Sequence, residues 1–103
     1  MQLKIDTETF DQHQQILVRE LVEQIRLKLV EAGLSGEMLK DATGNIAFSV
    51  ASTIDDTAMI EVDGIAVRPY LTFVSGEDEL MHCGENSYAH EYVAEIIGQV
   101  FDK

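Results

Sequence analysis

The 103-residue chain holds one cysteine, one proline, no tryptophan and only seven lysines and arginines. Each shortage excludes something. A lone Cys83 forms no internal disulfide, so the fold has no covalent staple and suits a reducing, cytoplasmic setting. Seven basic residues against 19 acidic ones leave a formal charge of −12. Without Lys and Arg clusters, direct binding to nucleic-acid phosphates or to anionic lipid is not expected. Long apolar runs are missing as well. The best uncharged stretch, 42–54, has 13 residues diluted by Thr, Asn and Ser, too short to cross a bilayer. The first residues include Asp6, Glu8 and Asp11, where an export leader would be apolar.

What is present is the balance of a globular chain, 46% apolar and 25% charged, too hydrophobic for disorder. Its length suits a single domain, 1–103, with one core. Leu17, Val18, Leu21, Val22, Ile25 and Leu29 recur at three- and four-residue steps and predict a helix over about 10–32. Thr9 with Gln12 reads as its capping box, with Asp6, Thr7 and Asp11 as rival starts. Gly33 and Leu34 suit a Schellman ending. Ile16, Leu27 and Val30 fall on the opposite side, either as scattered surface residues or as a contact face for a partner or twin subunit.

Ser35 reads as a second N-cap. Residues 46–54 then fit two periods. Ile46, Phe48, Val50, Ser52 and Ile54 alternate as in a strand, while Leu39, Ala42, Ile46, Val50 and Ile54 form a helical stripe. Gly44, Asn45 and the acids Asp55 and Asp56 at the C-terminal end oppose the helix. The alanines, depleted in strands, tip the reading to helix. Asp63-Gly64 is a type I′ turn signal, placing Val62 opposite Ile65 and Ile60 opposite Val67, with pairing stopped or bulged at Pro69 for want of an amide. A short strand, Glu79 to Cys83, follows with Leu80 opposite Phe73. A last helix starts near Asn86 or Ser87 and turns Ala89, Tyr92, Val93, Ile96, Ile97 and Val100 inward. The expected fold is α+β, two or three helices on one face of a small antiparallel sheet.

His82, Cys83 and His90 are the residues able to act as nucleophile, base or transition-metal ligand. A Cys-His pair makes a thiolate nucleophile when imidazolium or a helix N-terminus lowers the thiol pKa. A thiol- or metal-assisted hydrolase would therefore use Cys83 with His82 or His90, and Glu85 to orient. The preferred reading is a structural cysteine and surface histidines, because no cysteine-enzyme motif surrounds them and neighbours on a strand face opposite ways. His90-Glu91-Tyr92-Val93-Ala94 starts like the zinc-protease helix but has alanine at the second ligand position. Glu91 and Glu95 share a polar helix face, where solvation is the ordinary fate of carboxylates. Neither Asp55-Asp56 nor Glu77-Asp78-Glu79 has calcium-loop spacing, and Gly33-Leu34-Ser35-Gly36 lacks the lysine of a phosphate loop. No metal or cofactor is expected.

Charge location is more informative. Residues 41–102 hold 12 acids and only Arg68, so this stretch carries −11 while the first 40 residues are nearly balanced. Asp55, Asp56, Glu77, Asp78 and Glu79, with Ile16, Leu27 and Val30, form the expected interaction face for a basic protein surface. Small size, acidity and mixed structure are similar to the secretion chaperones of bacterial export systems, a resemblance of composition that carries no residue. The expected function is a non-enzymatic cytoplasmic binding, adaptor or chaperone-like protein, with a homodimer as a possible form.

Overall fold

A computed structural model describes residues 1–102. Strand β1 (Gln2–Ile5) leads into helix α1 (Thr7–Glu31), helix α2 (Gly36–Ile54), the hairpin strands β2 (Ile60–Val62) and β3 (Ile65–Val67), strands β4 (Phe73–Gly76) and β5 (Glu79–His82), a 3₁₀ turn (Ala89–Tyr92) and helix α3 (Val93–Phe101). The class is α+β, with three helices packed against a small mixed sheet and a separate two-stranded ribbon.

Helix α1 starts earlier than the Thr9 box implies, because the Asp6 carboxylate accepts from the Thr9 N–H at 3.1 Å. It closes as the Gly33 signal requires. Gly33 takes φ +98°, its N–H reaches the Val30 carbonyl at 2.9 Å, and that of Leu34 reaches Leu29 at 3.0 Å, the two bonds of a Schellman motif. Helix α2 runs through 46–54, so the alanine argument holds and the strand alternative falls. Its end repeats the motif with Asp56 in the left-handed position (φ 63°) and with Asp56 and Thr57 N–H groups on the Thr53 and Ser52 carbonyls.

The core is mainly helical. Val18 and Val22 of α1 meet Ala47 and Ala51 of α2 and Ala89, Val93, Ile96 and Ile97 from the last segment. The buried edge of α2 is Thr43, Ala47 and Ala51, one position round from the expected Ile46 and Val50 stripe. Small side chains let the helices approach closely, and the Thr43 hydroxyl is satisfied by the Leu39 carbonyl at 2.7 Å. Ile46, Phe48 and Val50 are left exposed.

The three-stranded sheet has order β1-β5-β4. It is mixed rather than purely antiparallel, because β1, which the sequence reading did not include, pairs parallel with β5. β5 pairs antiparallel with β4, with Leu80 opposite Val74 and Met81 opposite Phe73. The expected Leu80–Phe73 pairing is therefore off by one, and a register irregularity follows between Val74 and Gly76. Met81 and Phe73 face α1, where the Phe10 and Phe73 rings lie 5.2 Å apart. The outer row, Leu3 beside Leu80 beside Val74, leaves Leu3 and Val74 exposed.

The β2–β3 ribbon has the register read from its turn, Val62 opposite Ile65 and Ile60 opposite Val67. Asp63 and Gly64 both take positive φ (52° and 79°), as a type I′ turn requires. Pairing ends at Val67, before Pro69, and the chain enters the other sheet as β4 at Phe73.

Candidate interaction site

Asp55, expected on an exposed acidic face, is turned inward with 3% of its surface accessible. Its Oδ1 accepts from the Ser87 hydroxyl at 2.5 Å and the Ala89 N–H at 3.0 Å; its Oδ2 accepts from the His90 N–H at 2.8 Å and His90 Nδ1 at 2.5 Å. One carboxylate thus ends α2 and caps the start of the last helical segment. Burial pushes its pKa up, but the His90, Ser87 and Ala89 hydrogen bonds outweigh it and hold the group below the ordinary value. This resolves the objection that acids disfavour the α2 C-terminus, since Asp55 answers the N–H groups of a different helix. Asp56 is answered by Arg68, Nε to Oδ2 at 2.9 Å.

Asp55, His90 and Ser87 have the composition of a catalytic triad without its wiring. The Ser87 hydroxyl donates to the carboxylate and not to the imidazole, so serine and histidine are each tied to Asp55 and lack the link to one another that a triad needs. The other chemistry-bearing residues have separate partners. Cys83 Sγ donates to the Glu85 carbonyl at 3.1 Å, engaging the backbone of that residue and not the carboxylate assigned an orienting role. His82 Nδ1 accepts from the Tyr70 hydroxyl at 2.8 Å and the Gly84 N–H at 3.3 Å, which assigns its proton to Nε2. His90 is held by Asp55, with Phe48 edge-on to its ring at 5.8 Å. Among the described residues, no three His, Cys, Asp or Glu side chains converge as a metal site does, and no helix is long and apolar enough to cross a membrane.

A second buried polar cluster lies under α1. Gln14 is fully buried; its Oε1 accepts from the Tyr88 N–H at 2.7 Å and its Nε2 donates to Asp11 at 3.2 Å. Asp11 also accepts from the Tyr92 hydroxyl at 2.6 Å. That hydrogen bond, with burial and the Asp11 charge, pushes the Tyr92 pKa up to about 12. Both clusters link segments far apart in sequence, and both are fully engaged in holding the fold.

The surface differs in kind. On α1, Ile16 is 67% exposed, with Leu27 and Val30 near half; Ile16 stands beside a groove of about 440 Å³ lined by His13, Leu17, Glu20 and Phe73. Glu77 and Asp78 are exposed at the β4–β5 turn, where Asp78 takes φ 59°, and Glu79 accepts from the Ser75 hydroxyl at 2.7 Å. Apolar exposure is high along β1, at Leu3 and Ile5, and along the β2–β3 ribbon. Val62 and Ile65 are each 66% exposed, Val67 51% and Met59 90%. Met59 also holds φ 52°, a conformation unusual for a long side chain. Beneath it a cup of about 380 Å³ is lined by Asp56, Met59, Ile60, Glu61, Ala66, Val67 and Arg68. The ribbon's extensive packing is between its own two strands, and the radius of gyration, 15.4 Å, exceeds the roughly 13 Å of a compact chain this long. The sequence showed this hairpin and its register; it could not show that its apolar face has no cover among the described residues.

Compared with protein-family models, curated proteins and solved structures, the chain gives no significant match.

Proposed function

We propose that the protein is a non-enzymatic binding protein of the cytoplasm, adaptor- or chaperone-like, whose acidic and partly apolar surface docks a basic partner protein. The observation that carries this reading is the exposed apolar face of β2–β3 on a chain of net charge −12. A two-stranded ribbon is marginal alone in water, and clustered β-branched residues left bare are characteristic of interaction surfaces. The surrounding acids steer a cationic partner and repel an anionic one. Ile16, Leu27 and Val30 offer α1 a second contact, where a twin subunit could pack.

The test is capture from the source cells on immobilised protein at low and high salt, with each retained protein identified. A basic protein held at low salt and released at high salt is the expected result. Retention of nothing at low salt, or of acidic proteins only, removes the reading. The thiol alternative makes its own demand. Cys83 must label rapidly at pH 6 if it is an activated thiolate, and slowly if it is structural.

A further inference from the structure

Resting on that reading, we propose that the β2–β3 hairpin is an arm whose β2 edge takes an added strand from the partner, an extended segment in which apolar and basic residues alternate. The two-residue turn makes Val62 and Ile65 the hydrogen-bonded pair next to it, and Ile60 and Val67 the next such pair. Glu61 and Ala66, between them, form the non-bonded pair. The N–H and C=O of Glu61 therefore point away from β3, toward an edge that no strand among the described residues occupies. A peptide laid there extends the ladder.

Side chains on the added strand alternate between two faces. One continues the apolar face of Ile60, Val62, Ile65 and Val67. The other lies beside Glu61, where a Lys or Arg gains a cross-strand partner. Charge decides between the two edges of the ribbon. β2 offers Glu61 and, at the turn, Asp63; β3 is followed by Arg68, which is already on Asp56. Charge also decides the occupant. A second copy adding through the same edge sets Glu61 against the Glu61 region of its mate, and like charges across a ladder are destabilising. A basic segment meets no such opposition.

The experiment uses the full chain and a labelled octapeptide of alternating Lys and Val, with a Glu-Val octapeptide and a Lys-block, Val-block octapeptide of the same composition as controls. Binding is read by fluorescence anisotropy. The wild type should bind the alternating basic peptide in preference to both controls. Glu61→Gln, which removes only the charge, should weaken binding a few-fold. Glu61→Pro removes in addition the outward N–H, which the hairpin does not use, and should weaken it about tenfold or more. Circular dichroism checks that both variants fold. Equal binding by Glu61→Pro and wild type overturns the inference. Salt-sensitive binding that Glu61→Gln and Glu61→Pro weaken equally also overturns it and leaves the acidic-binder reading standing. Absence of any binding to the basic peptide at low salt removes both. A wild-type dimer in sedimentation that Glu61→Pro converts to monomer assigns the edge to a second copy instead.

Discussion

Val22 in α1 and Ile65 in β3 are both β-branched, apolar and set in a regular element of matching period, yet one is fully buried and the other is two-thirds exposed. What separates them is what stands opposite. Val22 meets the alanines of α2 and the isoleucines of α3, which the chain itself supplies. Ile65 has only Val62 across the ladder and solvent above. The helical core covers Val18 and Val22 and gives buried Gln14, Thr43 and Asp55 their hydrogen-bond partners, placing a carboxylate under the last segment to do so. The ribbon keeps its pairing and its turn but not its cover. Pattern alone therefore indicates which face of an element is apolar; whether that face ends in a core depends on a second layer that must be encoded elsewhere.

Breaking the helical half should give the largest effects. Asp55→Ala leaves the Ser87 hydroxyl and two backbone N–H groups buried without an acceptor and removes the partner of His90; the expected loss is about 3–5 kcal/mol in denaturant unfolding. A loss below about 1 kcal/mol would mean that the carboxylate is not what joins α2 to α3. Next is Ala47→Leu, which puts a large side chain where α2 packs on α1 and should cost about 1–3 kcal/mol through overpacking. Ser49→Leu, a comparable enlargement at an exposed position on the far side of α2, should be nearly neutral. The comparison between the two substitutions reads the rotation of the helix directly.

That rotation is one of the features the sequence left open. Ile46 and Val50 are the more hydrophobic candidates, so a stripe drawn through them looks like the core. The actual core edge uses Thr43, Ala47 and Ala51 because small residues suit closely packed helices, a criterion that hydrophobicity does not express. The Schellman ending at Gly33 and the Asp63-Gly64 turn were legible because they are local, each fixed by one backbone conformation. The Asp55–Ser87 link was not. Its residues lie 32 apart, and Asp55 reads locally as an acid at the wrong end of a helix. β1 was missed for a related reason: Leu3 and Ile5 alternate, but four residues carry too little pattern until β5 is known to lie beside them. The apolar residues of the proposed binding arm were all visible, and only their exposure was new.

Acid and alkali sharpen the contrast between the halves, because Asp55 and Tyr92, one from each helix-linking cluster, both have shifted pKa values. The Asp55 pKa lies below its ordinary value of 3.8, so its contribution is present above that pH and fades as pH falls through the folded value. Tyr92 works in the opposite direction. Its pKa rises from 10.0 to about 12, so the folded state holds the proton more tightly. Its contribution is complete below pH 10.0 and is lost as pH climbs toward about 12. Melting temperatures of the wild type should fall across that alkaline window more steeply than those of Tyr92→Phe, which lacks the titrating hydroxyl. Parallel curves would mean that the Asp11–Tyr92 hydrogen bond contributes nothing in solution.

The smallest effect is expected in the ribbon. Val62→Thr with Ile65→Thr keeps β-branching and strand preference while replacing one exposed methyl group and one exposed ethyl group by hydroxyls. Neither side chain is part of the helical core, so unfolding free energy should change by no more than about 0.5 kcal/mol. A loss of 2 kcal/mol or more, about what burial of such a side chain is worth, would show that the apolar face is covered in the free protein, by the chain itself or by a second copy. Dilution separates these two cases, because a loss that depends on protein concentration belongs to a dimer. A near-zero effect on stability, combined with weaker binding of the Lys-Val octapeptide, would establish that these side chains act on a partner and not on the fold.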